Sequence, residues 1–110
     1  MQPQLIVMLT HNDLTVNNAL ELFEACKDLP IPFWGFKDVG IADAEMLELI
    51  GAMKRAGKTT FLEVVTFDEQ ACLACAKMAV DYGFDYLTGT LFFPSVAQYL
   101  QDKPIRYYPF

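Results

Sequence analysis

Lys37 and Glu63 are the two residues of this chain best placed by type and position to do chemistry. Each lies in an otherwise apolar run, Phe33-Trp34-Gly35-Phe36-Lys37 and Phe61-Leu62-Glu63-Val64-Val65. A lysine ammonium can stabilise an enolate or enediolate oxygen, or attack a carbonyl as a Schiff-base amine if its pKa is depressed. A carboxylate beside it can move a proton alpha to that carbonyl. Asp13 and Asp38 could share the proton-transfer role, and His11 titrates near neutrality, where a general acid or base works. Asn12, Thr88 and Thr90 add neutral hydrogen-bonding groups suited to holding a substrate. The same residues also have plainer roles open to them. A Lys37–Glu63 pair could simply organise a core, and Asp13 could cap the first helix together with Thr15.

Two further constellations are weaker. Asp13, Asp38 and Glu63 could offer oxygens to magnesium, but no spacing rule supports that set, and neither a metal nor a cofactor is expected. Cys72 and Cys75 form a C-x-x-C, yet they fall inside a helical pattern rather than at a helix start, where the dipole would lower a thiol pKa. No second ligand pair accompanies them, so both read as small core residues.

The elements that must position these groups alternate regularly. Strands are expected at Leu5–Thr10, Phe33–Lys37, Thr59–Val65, Tyr86–Phe92 and Ile105–Phe110. Helices are expected at Val16–Leu29, Asp43–Ala56, Phe67–Tyr82 and Pro94–Asp102. Thr15 is the expected N-cap of the first, and Thr66-x-x-Glu69 reads as a capping box for the third. Gly57 and Gly83 suit helix C-termini, and Pro94 suits a first helical turn. The first four strands recur about every 27 residues, which marks βα units and a parallel sheet with helical crossovers.

Composition bounds the rest. The 110 residues are 54% hydrophobic and 20% charged, which predicts one packed domain. Fourteen acids against eight bases give a net charge of −6, which argues against nucleic acid and anionic membranes as partners. The single histidine excludes a multi-histidine metal site. No signal-peptide pattern or membrane-length apolar run is visible, and three cysteines do not suit a disulfide framework. A cytoplasmic location is expected.

Polar residues recur late in the strands on one face, while the other face is apolar: Trp34 and Phe36, Leu62 and Val64, Leu87 and Leu91. A doubly wound sheet would be apolar on both faces. The pattern instead fits the wall of a barrel whose site lies at the strand C-termini. The segments LIVMLTHND, PFWGFKDVG, KTTFLEVV and FDYLTGTLFF resemble strands one to four of the small phosphate-binding TIM barrels, a group that includes ribulose-phosphate-binding epimerases, isomerases and decarboxylases. That resemblance implies an α/β fold: a parallel (βα)4-β5 half of a TIM (βα)8 barrel, covering residues 1–110 as a single incomplete domain. It also implies that the phosphate-binding loops of strands seven and eight lie outside this chain. The expected activity is then that of the N-terminal portion of a sugar-phosphate isomerase, epimerase or lyase, nearly inactive by itself. The alternative is a non-catalytic half-barrel module that binds a small phosphorylated metabolite, as the glycerol-3-phosphate-responsive antiterminators resemble. Either form would leave sheet edges and an inner face bare, so a homo-oligomer is expected.

Overall fold

The computed structural model describes residues 4–109. Among the described residues, seven strands and four helices follow one another: β1 (Ile6–Met8), β2 (Thr10–His11), β3 (Leu14–Thr15), α1 (Ala19–Cys26), β4 (Phe33–Lys37), α2 (Asp43–Arg55), β5 (Thr59–Glu63), α3 (Glu69–Tyr82), β6 (Tyr86–Thr88), α4 (Pro94–Leu100) and β7 (Arg106–Tyr108). Five strands form one parallel sheet in the order β1-β4-β5-β6-β7, so each crossover leads to the next strand along. The fold is therefore α/β, with a five-stranded parallel sheet and four helices.

Strand parity divides the sheet into two unlike faces. Trp34, Phe36, Leu62, Val64 and Leu87 point to one side. There they share a buried core with Phe23 of α1, Met46, Ile50 and Met53 of α2, Ala76 and Ala79 of α3, and Val96 of α4. Full burial of each large side chain there stabilises by roughly 1.5–3 kcal/mol. Phe23 meets Trp34 edge to face at 5.1 Å, and the indole N–H donates to the Ile31 carbonyl at 2.7 Å. The opposite face carries Phe33, Phe61, Tyr86 and Tyr108 in a lateral row of rings. Their centroids lie 5.8, 4.3 and 5.6 Å apart, and the last two contacts are stacked. Tyr108 is half exposed, and Ile6 at the β1 edge is 42% exposed. All four helices contribute to the core on the first face.

The sequence-derived elements are right in type and order, but several ends differ. The first strand stops at Met8. The chain then turns through a hairpin, β2 with β3, around Asn12 and Asp13. Both turn residues have positive φ, 52° and 62°, as a two-residue hairpin turn favours. This hairpin displaces the expected start of the first helix to Ala19. Thr15 does not cap that helix. It is buried in β3, where its hydroxyl donates to the Lys37 carbonyl at 2.7 Å and accepts from the Lys37 N–H at 2.9 Å. The expected capping box also fails. Asp68 is the N-cap of α3 and accepts from the Ala71 N–H at 2.8 Å, while Thr66 accepts from the Asp68 N–H. Gly83 closes α3 in the left-handed conformation, and Pro94 opens α4, both as expected. The strand expected at Ile105–Phe110 is β7 and covers Arg106–Tyr108, and Phe110 lies outside the described residues.

Candidate functional site

Lys37 ends β4 and Glu63 ends β5, and the two are partners in the parallel register. Thr88 at the end of β6 and Tyr108 at the end of β7 continue the same lateral row. All four side chains therefore rise from the face that the helices leave bare, at the C-terminal ends of the strands. Only 11% of the Lys37 side chain is exposed. Its ammonium lies 2.9 Å from Asp13 Oδ1, reached from the hairpin tip, and 3.6 Å from Glu63 Oε2. The hydrogen bond to Asp13 holds Lys37 above the usual lysine range; burial pulls the other way, and the charge of Glu63 adds to the rise. In return, the hydrogen bond and charge of Lys37 hold the Asp13 carboxyl below the usual carboxylate range. Lys37 is thus a fixed cation. Its raised pKa runs against the Schiff-base role, which needs a depressed one.

Of the residues expected at the site, Lys37, Glu63 and Asp13 meet directly. Thr88 lies in their row, but its hydroxyl points back to the Leu62 carbonyl at 3.4 Å. Asn12 is the exposed turn residue beside Asp13, and His11 is exposed on β2, with no hydrogen bond or ion pair from its ring among the described residues. Asp38 is separated from the cluster because it follows Lys37 and therefore takes the opposite parity. Its carboxylate accepts from the Val65 N–H at 3.3 Å and from the Cys75 thiol at 3.4 Å, on the helix side. Thr90 is likewise not part of it. The strand expected at Tyr86–Phe92 is β6 and ends at Thr88, and Thr90 is fully buried with its hydroxyl 2.8 Å from the Tyr107 hydroxyl.

The two cysteines of the C-x-x-C are both free. Cys72 is buried and donates to the Thr66 carbonyl at 3.4 Å. Burial first, then the Asp38 charge, pushes the Cys75 thiol up to about 12, against the lowered pKa that a redox C-x-x-C needs. Among the described residues, no group of three or more His, Cys, Asp or Glu side chains could hold a metal ion. No described helix is long and apolar enough to cross a membrane.

A depression of about 220 Å³ lies over the cluster, walled by Asp13, Lys37, Glu63, Val65, Phe67 and Gly89. Larger depressions exist elsewhere, about 400 Å³ between α1 and α2 and about 460 Å³ beside Lys103 and Arg106. Neither brings together a buried cation and two carboxylates, so the smaller one holds the candidate chemistry. Sequence reasoning missed Phe67 and Gly89. Gly89 has φ of 88°, and a Cβ there would lie 2.7 Å from the Val64 carbonyl oxygen and 2.8 Å from Glu63 Cγ. A lone glycine between two threonines at a strand end was the available signal.

Acids predominate at the end where the strands finish, and the opposite end is mixed. Asp13, Glu21, Asp38, Asp43, Glu45, Glu63, Asp68 and Glu69 lie at strand C-termini or helix N-termini, with Lys37 the one base among them. At the other end lie Lys27, Lys54, Arg55, Lys58, Lys103 and Arg106 against the acids Glu24, Asp28, Asp81, Asp85 and Asp102. Helix dipoles favour this sorting, because every helix starts at the end where the strands finish. The candidate site therefore sits in the acidic end of the molecule. No family model, no curated protein and no solved structure matches this chain.

Proposed function

We propose that this sheet is the wall of a half-barrel of the (βα)8 type, and that the Lys37–Glu63–Asp13 cluster acts on a small carbonyl metabolite by proton transfer. The half-barrel reading is supported by parallel strands ordered as in the sequence and by helices serving one face only. The observation that carries the chemical reading is Lys37, whose side chain is mostly buried and whose ammonium is held between two carboxylates at the C-terminal end of the sheet. Lys37 would stabilise the enolate or enediolate oxygen. Glu63, or Asp13 at the hairpin tip, would take and return the alpha proton, with His11 nearby on the same hairpin. A sugar-phosphate isomerase, epimerase or lyase follows this logic. The cluster itself holds one cation against two carboxylates, so the phosphate of such a ligand would be gripped by strands that complete the barrel. Those strands would come from further chain or from a second copy paired along the open edges β1 and β7.

The second reading is a non-catalytic module that binds a small phosphorylated metabolite. It is favoured by one observation: both carboxylates nearest Lys37 are already engaged by it, which leaves no unpaired base beside the lysine.

Dihydroxyacetone and its phosphate are suitable probes in deuterated buffer. Amide shifts at Lys37, Glu63 and Gly89 together with deuterium uptake alpha to the carbonyl are the expected result. Lys37→Ala and Glu63→Ala should each slow the exchange by about 10²-fold. Shifts without exchange would select the binding module. No shift at these positions would refute both readings.

A further inference from the structure

Asp13 meets Lys37 in the way a ligand would. Its side chain is 93% exposed, yet the ammonium it reaches belongs to a side chain that is only 11% exposed. Among the described residues, its carboxylate has one hydrogen bond, the 2.9 Å contact from Lys37 to Oδ1. The hairpin holds its place without that contact. The Thr15 N–H donates to the Val39 carbonyl at 2.9 Å, the Val16 N–H donates to the Leu9 carbonyl at 3.0 Å, and the Thr15 hydroxyl bridges the Lys37 backbone. Rotation of the Asp13 side chain into the water that already surrounds it therefore frees the ammonium, and so exposed a partner opposes that rotation only weakly. Glu63 is different: it stands on the neighbouring strand, is mostly buried, and keeps its carboxylate 3.6 Å from the ammonium.

We propose that the depression over the cluster receives a short-chain 2-oxo acid, whose carboxylate takes the position that Asp13 holds in the free protein. This rests on the reading of the Lys37 cluster as the ligand site and narrows it to a ligand with an anionic group next to its carbonyl. Charge selects the carboxylate. Exchanging one carboxylate for another keeps one ammonium against two carboxylates, whereas a phosphate dianion would bring further negative charge beside Glu63. The ammonium has three N–H donors. Once Asp13 leaves, one can serve the carboxylate and another the adjacent keto oxygen, a pair of acceptors that a simple ketone or a simple acid does not present. The alkyl chain has an apolar wall to lie on, because the same depression of about 220 Å³ is bounded by Val65 and by Phe67, which is 70% exposed. Asp13 is then a built-in competitor for the ligand, and Glu63 is the carboxylate that stays beside the bound carbonyl.

Carbon-13 NMR of the full chain, labelled at aspartate Cγ and lysine Cε, tests the displacement with sodium 2-oxobutyrate as the probe at a constant ionic strength of about 0.1 M. Saturation should shift Lys37 Cε and move the Asp13 Cγ resonance toward that of an unpaired carboxylate. Asp13→Asn keeps a residue that tolerates positive φ at the turn, and it should bind the probe about fivefold more tightly. Asp68→Asn removes the same charge next to Phe67 from a residue that makes no ion pair with Lys37, and it should change the affinity by less than about twofold. Hydroxyacetone, a ketone without the carboxylate, and inorganic phosphate should each bind more weakly than the 2-oxo acid. An Asp13→Asn affinity at or below that of the wild-type chain would overturn the displacement. So would an Asp13 resonance unmoved at saturation, or an equal gain from Asp68→Asn. Tighter binding of hydroxyacetone or phosphate at Lys37 would overturn the 2-oxo acid and leave the cluster standing as the ligand site. No shift at Lys37 with any of the three probes would overturn both.

Discussion

Lys37 shows how much of the cluster depends on a single cation. Removing it leaves Glu63 and Asp13 near each other without neutralisation. Lys37→Met keeps most of the apolar stem, so the loss isolates the charge. The side chain is mostly but not wholly buried, which places the expected cost at about 1–2 kcal/mol, below that of a fully buried pair. Urea denaturation of the variant and of Glu63→Gln checks this, and the glutamine variant should cost less. The pH dependence has a sign on each limb. Asp13 is held below its unfolded value, so its contribution is complete above about pH 4 and fades as pH falls through the lower folded value. Lys37 and Cys75 are both held above their unfolded values. Their contributions are complete below about pH 8.5 for the thiol and about pH 10.4 for the lysine, and both fade as pH rises further. Stability measured by urea midpoint should therefore decline above about pH 8.5, and Cys75→Ala should flatten the first part of that decline.

The β2–β3 hairpin is the element on which the site depends. Its base is locked by Thr15, whose hydroxyl bridges the N–H and carbonyl of Lys37, and its tip delivers Asp13 to the ammonium. Thr15→Val preserves shape but leaves both backbone groups of Lys37 without that partner. The expected cost is about 1–3 kcal/mol, with loss of the Asp13–Lys37 contact seen as a rise of the Asp13 pKa by NMR. A retained low Asp13 pKa in that variant would show that the hairpin is held by other contacts. Sheet packing is equally exacting at Gly35. A Cβ there would sit 2.7 Å from the Phe61 carbonyl oxygen and 2.8 Å from Met8 Sδ. Gly35→Ala should cost about 1–3 kcal/mol by overpacking, measured by thermal unfolding.

At the scale of the whole molecule, the sheet has one face covered by helices and one face bare. The rings of Phe61, Tyr86 and Tyr108 stack on one another, so their edges rather than their faces point outward. Such a comb suits interdigitation with a second layer better than stacking on a flat ligand. The edges β1 and β7 are short, three residues each, which limits pairing without preventing it. If the bare face and edges mediate completion of a barrel, Ile6→Lys with Tyr108→Lys should abolish a salt-resistant dimer in light scattering and leave the far-UV spectrum unchanged. Persistence of that dimer would move the interface elsewhere.

Element type and order were legible in the chain because both depend on local regularities: apolar periodicity, prolines at helix starts and glycines at helix ends. The bounds of Phe33–Lys37 came out to the residue, and so did the pairing of Lys37 with Glu63. Strand parity and a parallel register force two late polar residues on adjacent strands to the same face. The hairpin was not legible in that way, although Asn12-Asp13 is a turn-forming pair, because an apolar run leading into polar residues reads as one strand until a partner is known. Tertiary structure alone turned Asp38 toward Cys75, buried Thr90 against Tyr107 and brought Asp13 across 24 residues to Lys37. Each of those outcomes is set by what a loop meets in space. Short-range preference in the chain carries no information about a partner that far away, whereas the alternation of side chains along a strand is fixed by backbone geometry at every residue.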